Sequence, residues 1–295
     1  MTGFIFLDKP EGITSFTAVN RVRRICSVKK AGHTGTLDPM ATGVLPIMLG
    51  GATRFAQYLP THDKSYRAKI LLGTVTDTLD VTGEITETHE VNVTDEDIKN
   101  VLPEFIGDIK QLPPMYSAVS KGGVRLYKLA RQGIEIEREA RDVTIYNIDI
   151  VSELHENEFE IDVSCSAGTY IRSLAADIGN ALGCGAVISA LRRTSANGVD
   201  ISDTVTIEML DELAKQDKLD EVIHGCDEML GCYPAITVSD KQAVRFSNGG
   251  ELDLIRIKGD VPTGICRVYS PQNKLLGLGK SDFSTLKVEK LLVEL

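Results

Sequence analysis

The segment AGHTGTLDPMATG, residues 31–43, gathers more groups able to do chemistry than any other part of the chain. Gly32, Gly35 and Gly43 permit backbone shapes and close approaches that other residues do not. The segment fits neither the G-x-G-x-x-G nor the G-x-x-x-x-G-K-[ST] spacing, so a nucleotide-phosphate cradle is not supported. Asp38 precedes Pro39, which biases it toward extended backbone and narrows its conformations. A lone carboxylate in a glycine-rich loop suits nucleophilic or acid–base work. By type and spacing alone, such an Asp is more often a turn or capping residue, and both readings stand at this point. His33 is equally open: its ring could bond its own loop or meet a substrate.

The remaining composition removes several classes of chemistry. Six cysteines, Cys26, Cys165, Cys184, Cys226, Cys232 and Cys266, form no C-x-x-C pair and are accompanied by only five histidines. Neither a zinc site nor a disulfide framework is supported, and free thiols in a reducing compartment are expected. No metal or cofactor is expected. No apolar run reaches the length of a membrane span, and the N-terminus lacks the pattern of a secretory signal, so a cytoplasmic protein is expected.

Net charge is −10, which at first argues against a nucleic-acid partner. The distribution argues otherwise. No acid lies between Glu11 and Asp38, where Arg21, Arg23, Arg24, Lys29 and Lys30 occur. None lies between Asp108 and Glu135, a stretch carrying Lys110, Lys121, Arg125, Lys128 and Arg131, nor from Ile178 to Val199, which holds Arg192 and Arg193. Together these stretches make about a quarter of the chain and contain none of its 42 carboxylates. If they converge, they form a basic surface for RNA.

The elements that must position these residues follow from periodicity. Ile5 to Leu7 reads as a short strand. A helix from Ser15 to Cys26, capped by Thr14 or Ser15, places Phe16, Val19, Val22 and Ile25 on its buried face. Residues 65–72 alternate Tyr66, Ala68, Ile70 and Leu72 against Arg67 and Lys69, as a half-buried strand does. Thr94 caps a helix through Ile98, Val101, Leu102 and Phe105 that stops near Gly107. QLPPMYSAVSKGG and the following VRLYKLARQG read as a basic loop and short helix projecting from the body. Strands at 143–151 and 158–165 precede a helix that buries Ile171, Leu174, Ala175, Ile178 and Leu182 and stops at Gly183. Arg172 falls off that stripe. Two acidic helical segments, near 206–215 and 218–230, lead to a composition shift at GCYPAITVSD, where a domain boundary is placed near Tyr233. Beyond it come a short helix at 239–246 and β-like segments.

GHTGTLDPMATGVLPIMLGGATR resembles the active-site motif of the TruB family of pseudouridine synthases. LDKPEGITS, KSYRAKILLGTVTDTLD, QLPPMYSAVSKGGVRLYKLARQG and SCSAGTYIRSLAADIG followed by LRRT also resemble family segments, in family order across residues 3–194. The resemblance implies an α+β fold, a mixed and largely antiparallel sheet with flanking helices. It divides the chain into a catalytic domain, 1–232, with a basic thumb at 109–141, and a small β-rich PUA-like RNA-binding domain, 233–295. The implied activity is isomerisation of the T-loop uridine of tRNA, position 55, without cofactor, by flipping the base out and breaking its glycosidic bond.

Residue by residue, the resemblance makes Asp38 the catalytic aspartate, Tyr66 the tyrosine that stacks on uracil, and Arg172 the partner of Asp38. His33 is the wedge that enters the T-loop, Tyr170 and Leu191 line the uracil pocket, and Asp77 is an acid in the same network. Lys9 and Pro10 would support the loop from beneath. Arg21, Arg24, Lys29, Lys30, Lys121, Arg125, Lys128, Arg131, Arg192 and Arg193 are candidate RNA-backbone contacts. A single chain acting on tRNA is the expected working form. The rival readings are a non-catalytic tRNA-binding or RNA-folding protein on the same scaffold, and a glycosidase-like hydrolase, which would want a second flanking carboxylate.

Overall fold

The computed structural model describes every residue except 60–62, 118, 131 and 293–295, and of Lys121 the backbone alone. In chain order the first strands are β1 (Gly3–Lys9), β2 (Ala31–His33), β3 (Thr42–Leu49), β4 (Lys64–Leu72), β5 (Thr74–Thr76), β6 (Ile85–Thr88) and β7 (Gly107–Gln111). They continue with β8 (Ser120–Lys121), β9 (Val124–Arg125), β10 (Arg141–Ile150), β11 (Glu158–Cys165), β12 (Ala186–Ala196) and β13 (Val199–Asp200). The helices of this part are α1 (Ser15–Ile25), α2 (Asp95–Val101), α3 (Leu126–Ala130), α4 (Ile171–Ala181), α5 (Ile207–Lys215) and α6 (Cys226–Met229).

Nine of these strands form one sheet in the order β1-β3-β12-β4-β11-β10-β7, with β2 on β3 and β13 on β12. Only β3 and β12 run parallel, meeting at Thr42–Arg192 and Gly43–Arg193; the other pairs are antiparallel. This is the mixed, largely antiparallel α+β sheet that the resemblance implies. Gly43 makes the parallel contact possible. Its φ is +100°, and a Cβ there would stand 2.2 Å from the Arg193 carbonyl oxygen.

The alternation in 65–72 does produce β4, with Tyr66, Ala68, Ile70 and Leu72 buried. Thr94 caps α2 through a capping box with Asp97, and the chain tightens into a 3-10 turn over Leu102–Phe105. One expectation fails. The buried stripe of α1 is Ser15, Ala18, Val19 and Val22, while Phe16 is 73% exposed. One residue's step along a helix rotates a side chain by about 100°, so choosing Phe16 rather than Ser15 misphased the start of the face. β12, a central strand, lies in the third acid-free stretch, to which the sequence pattern assigned no element.

The C-terminal part adds β14 (Ala235–Thr237), α7 (Asp240–Ser247), β15 (Leu252–Asp253), β16 (Gly264–Tyr269), β17 (Leu275–Ser281) and β18 (Thr285–Leu291). These strands form their own five-stranded sheet around a core that includes Ile236, Phe246, Val268 and Leu286. Tyr269, Leu275 and Leu278 share a core with Phe4 and Phe6 of β1 and with Phe55 and Tyr58 of the turns after β3. The Tyr58 hydroxyl also donates to Glu289 Oε1 at 2.7 Å across this seam.

Candidate active site

The loop between β2 and β3 carries Asp38, and buried polar groups hold it from three sides. Lys9, at the end of β1, is fully buried, and its Nζ donates to the carbonyls of Pro10 (2.8 Å), Ile13 (2.8 Å) and Pro39 (3.3 Å). Three acceptors satisfy the three ammonium protons of a cation removed from water. Burial still dominates its ionisation and pulls its pKa down to about 8. Lys9 thus supports the loop from beneath, as expected. Arg193, 1% exposed, donates from Nε to the Val44 carbonyl at 2.7 Å and from Nη2 to Gly35 at 3.2 Å. Its Nη1 reaches the Thr36 carbonyl at 3.4 Å.

Opposite the loop stands the first turn of α4. Arg172, 5% exposed rather than off the buried face, places Nε 3.0 Å from Oδ2 of Asp38, whose side chain is 36% exposed. Its Nη1 donates to the Thr78 carbonyl at 2.7 Å and faces Asp80 Oδ2 at 3.5 Å, and its Nη2 donates to the Tyr116 carbonyl at 2.8 Å. One guanidinium therefore joins three separate segments to α4. The fixed fork of Arg suits such a node better than the single point charge of Lys.

The acid beside Arg172 is Asp80, not Asp77. Asp77 Oδ1 accepts from the Glu84 N–H in an exposed turn. Asp80 is buried, and its Oδ1 accepts from the Thr78 hydroxyl, the Thr82 N–H and the Thr82 hydroxyl. Leu79, with φ +61°, turns the chain between the two acids' neighbourhoods and aims Asp80 inward. T-D-T-L-D offers two candidates three residues apart. The distinguishing signal, a threonine on each side of Asp80 at i−2 and i+2, is visible only once the turn is known.

Opposing effects act on Asp38. Burial pushes its pKa up, the Arg172 charge pulls it down, Asp80 pushes it up again and Lys9 pulls it down. The balance leaves it above the ordinary carboxylate value. Tyr66 is buried on β4, and burial raises its phenol pKa while facing Arg193 lowers it. A phenol pushed up is ionised still more rarely near neutral pH, so its ring face is the chemically useful part. His33 lies at the end of β2, its buried Nδ1 without a hydrogen-bond partner among the described residues. Burial first, then Arg193, lowers its pKa, which favours the neutral ring.

Tyr170 stands at the N-cap position of α4 with its side chain half-buried, and Leu191 is buried on β12 opposite Ala68. A residue that sequence reasoning passed over, Gln111, grips Tyr170. It accepts from the Tyr170 N–H at 2.7 Å and donates to the Tyr170 carbonyl at 3.1 Å. Its signal was only that it heads QLPPMYSA.

The basic candidates divide. Arg21, Arg24, Lys29 and Lys30 are exposed on α1 and the turn after it, and Arg125 and Lys128 are exposed in the insertion between β7 and β10. Arg131 and the Lys121 side chain lie outside the described residues. The third acid-free stretch does not supply free cations. Arg193 is consumed by the loop, and Arg192 makes a two-bond pair with Asp8, at 3.1 and 2.6 Å, plus a bond to Thr42 Oγ1. The expected thumb, 109–141, begins and ends in strand. Its projecting part, between Gln111 and Arg141, holds the β8–β9 hairpin and α3.

Residues 23–171 match the model of the TruB family pseudouridylate synthase N-terminal domain, and residues 172–231 match the tRNA pseudouridylate synthase B C-terminal domain. The chain is 44% identical over 299 residues to tRNA pseudouridine synthase B of Dechloromonas aromatica (strain RCB), covering 99% of this chain and 96% of that one. It is 42% identical over 297 residues to tRNA pseudouridine synthase B of Clostridium perfringens (strain 13 / Type A), covering both chains fully. Among solved structures, a chain of a Cbf5-Nop10-Gar1 complex superposes with a TM-score of 0.73 at 29% identity, covering 99% of this chain and 85% of that one. An H/ACA RNP bound to a substrate RNA containing 2'-deoxyuridine gives 0.72 at 27% identity, with the same coverage. With a matching model across most of its first sheet and full-length relatives above 40% identity, the chain belongs to the TruB family of pseudouridine synthases.

Proposed function

We propose that this chain is a tRNA pseudouridine synthase that converts the T-loop uridine, position 55 of tRNA, to pseudouridine with Asp38 as its catalytic carboxylate. The observation that carries this reading is the pair of a solvent-reachable Asp38 carboxylate and a buried Arg172 guanidinium 3.0 Å away. The Arg172 charge and hydrogen bond oppose the burial that raises the Asp38 pKa, and they aim the carboxylate so that its second oxygen faces the substrate.

The reaction is redox-neutral. The bond from N1 of uracil to the ribose anomeric carbon breaks, the base turns in place, carbon 5 bonds to that carbon and loses its proton, and N1 takes up a proton in exchange. Asp38 supplies the nucleophile, to the base or to the ribose, and its return as a leaving group restores the enzyme. Tyr66 stacks on the freed uracil, an interaction of about 1–3 kcal/mol. Tyr170 and Leu191 bound the pocket, and Arg172 orients Asp38. A stacked uridine must first leave the folded T-loop, at a cost of a few kcal/mol. A neutral His33 with an unpartnered Nδ1 suits the space the base vacates.

In this reading residues 1–232 are the catalytic domain and 233–295 a PUA-like RNA-binding domain. The exposed cations of α1 and of the 109–141 thumb hold the T-arm backbone. One chain acts alone on one tRNA, in the cytoplasm. The test is tritium release from carbon 5 of uridine in a T-arm stem-loop. Wild type should release tritium, and Asp38→Asn should bind the stem-loop while turnover falls by more than about 10⁴-fold. Binding without release by the wild type would make the protein a tRNA-binding scaffold instead.

A further inference from the structure

The ion pair between Asp38 and Arg172 joins two segments that are far apart in sequence, so something must set their separation. Two buried side chains make an unusual bond pattern beside it. Ser15, 2% exposed, donates from Oγ to the Leu37 carbonyl at 2.9 Å and accepts from the Leu37 N–H at 2.8 Å. Leu37 immediately precedes Asp38. Gln111, also 2% exposed, accepts from and donates to the backbone of Tyr170, two residues before Arg172. Each side chain thus occupies both hydrogen-bonding groups of one residue, and each grips the backbone beside one member of the pair.

Neither contact is needed to build its element. Thr14 caps α1 through its own hydroxyl, leaving the Ser15 side chain free to cross to the loop. Gln111 ends β7 at the sheet edge, yet reaches the start of α4. A clasp with two bonds fixes position and rotation together, whereas one bond leaves a pivot. A displacement of about 1 Å at a reacting group costs on the order of 10²-fold in rate.

We infer that Ser15 and Gln111 are positioning residues, a pair of backbone clasps that set the Asp38–Arg172 geometry for catalysis. This rests on the proposed pseudouridine synthase activity, and wild-type tritium release tests that activity separately. Ser15→Ala and Gln111→Met remove both bonds of each clasp with little change in volume. Each should lower the single-turnover rate about 10-fold while KM for the stem-loop stays within about 2-fold.

The decisive arm repeats both in an Arg172→Lys background, with enzyme in excess and long time courses. Once the fixed fork is lost, the Asp38–Arg172 geometry that the two clasps set is already broken, so each further loss should shrink to less than about 2-fold. Full additivity there, or wild-type rates in the single variants, overturns the inference. Should Gln111→Met not fold, Gln111→Glu keeps the size and the acceptor but loses the donor. It should give an intermediate loss, and an unchanged rate would count equally against the proposal.

Discussion

The loop bearing Asp38 and the insertion between β7 and β10 both touch Arg172, one through a carboxylate and the other through the Tyr116 carbonyl. They are held in opposite ways. The loop is braced along its length by Lys9, Ser15 and Arg193, all buried. The insertion is pinned at its root, where Ser173 and Arg138 donate to the carbonyls of Leu112 and Pro113 and where Met115 and Leu126 are buried. Its far side exposes Gly122, Gly123, Val124, Arg125 and Lys128 to solvent. A group that must attack one atom needs every neighbour fixed, while a surface that meets RNA works through solvated charge. Stability is distributed accordingly.

The largest expected effect tests the bracing. Arg193→Met strips donors from three carbonyls, one in a fully buried bond, and should cost about 3 kcal/mol in urea unfolding, with turnover falling as well. Lys128→Met on the insertion should move stability by less than about 0.5 kcal/mol. Equal losses at the two sites would erase the contrast between the regions.

Next comes the charge balance within the braced region. Turnover needs ionised Asp38, so the rate should fall as pH drops through its raised pKa. Removing a like charge lowers that pKa, so Asp80→Asn should shift the acid limb to lower pH. Removing the positive partner raises it, so Arg172→Ala should shift the limb up. Single-turnover rates across pH 4–8 on the stem-loop, roughly the range where raised carboxylates titrate, read both directions. A limb unmoved by either change would separate Asp38 from its neighbours.

A smaller effect belongs to Lys9. Its folded pKa, about 8, lies below its ordinary value of 10.5, so between these limits the unfolded chain binds more protons. Stability from this group therefore rises with pH across that window. The buried Cys26, with a pKa raised to about 11, contributes with the opposite sign, so the comparison must be a difference. Wild type minus Lys9→Met, by urea unfolding from pH 7.5 to 10.5, should show a positive slope. A flat difference would mean that the buried ammonium keeps its proton throughout.

The smallest effect is expected on the insertion. Lys128→Glu should raise KM for the stem-loop about threefold at low salt, with the difference vanishing as salt rises and kcat unchanged. A fall in kcat would place this region in the braced class after all.

Much of the scaffold was legible because its causes are local. Thr94 and Asp97 form their capping box from adjacent residues, and the alternation of β4 needs only two solvents, core and water, on its two sides. The pairing of Asp38 with Arg172 was legible only through resemblance, since no spacing rule links residues so far apart in sequence. Arg192 and Arg193 looked equivalent. β12 carries register shifts at Ile188/Ala190 and Arg193/Ser195, and any such shift changes which side chains face the core.

By itself, then, the sequence determined the caps, the strand and helix periods, the glycine-rich loop and the family to which its motifs belong. Tertiary structure decided which of two acids joins Arg172, which of two neighbouring arginines holds the loop, and which basic residues remain in solvent. Local preferences depend on neighbours a few bonds away. Burial and pairing depend on which distant segment arrives opposite, and a single step in turn or register sends a charge into the core or out to water.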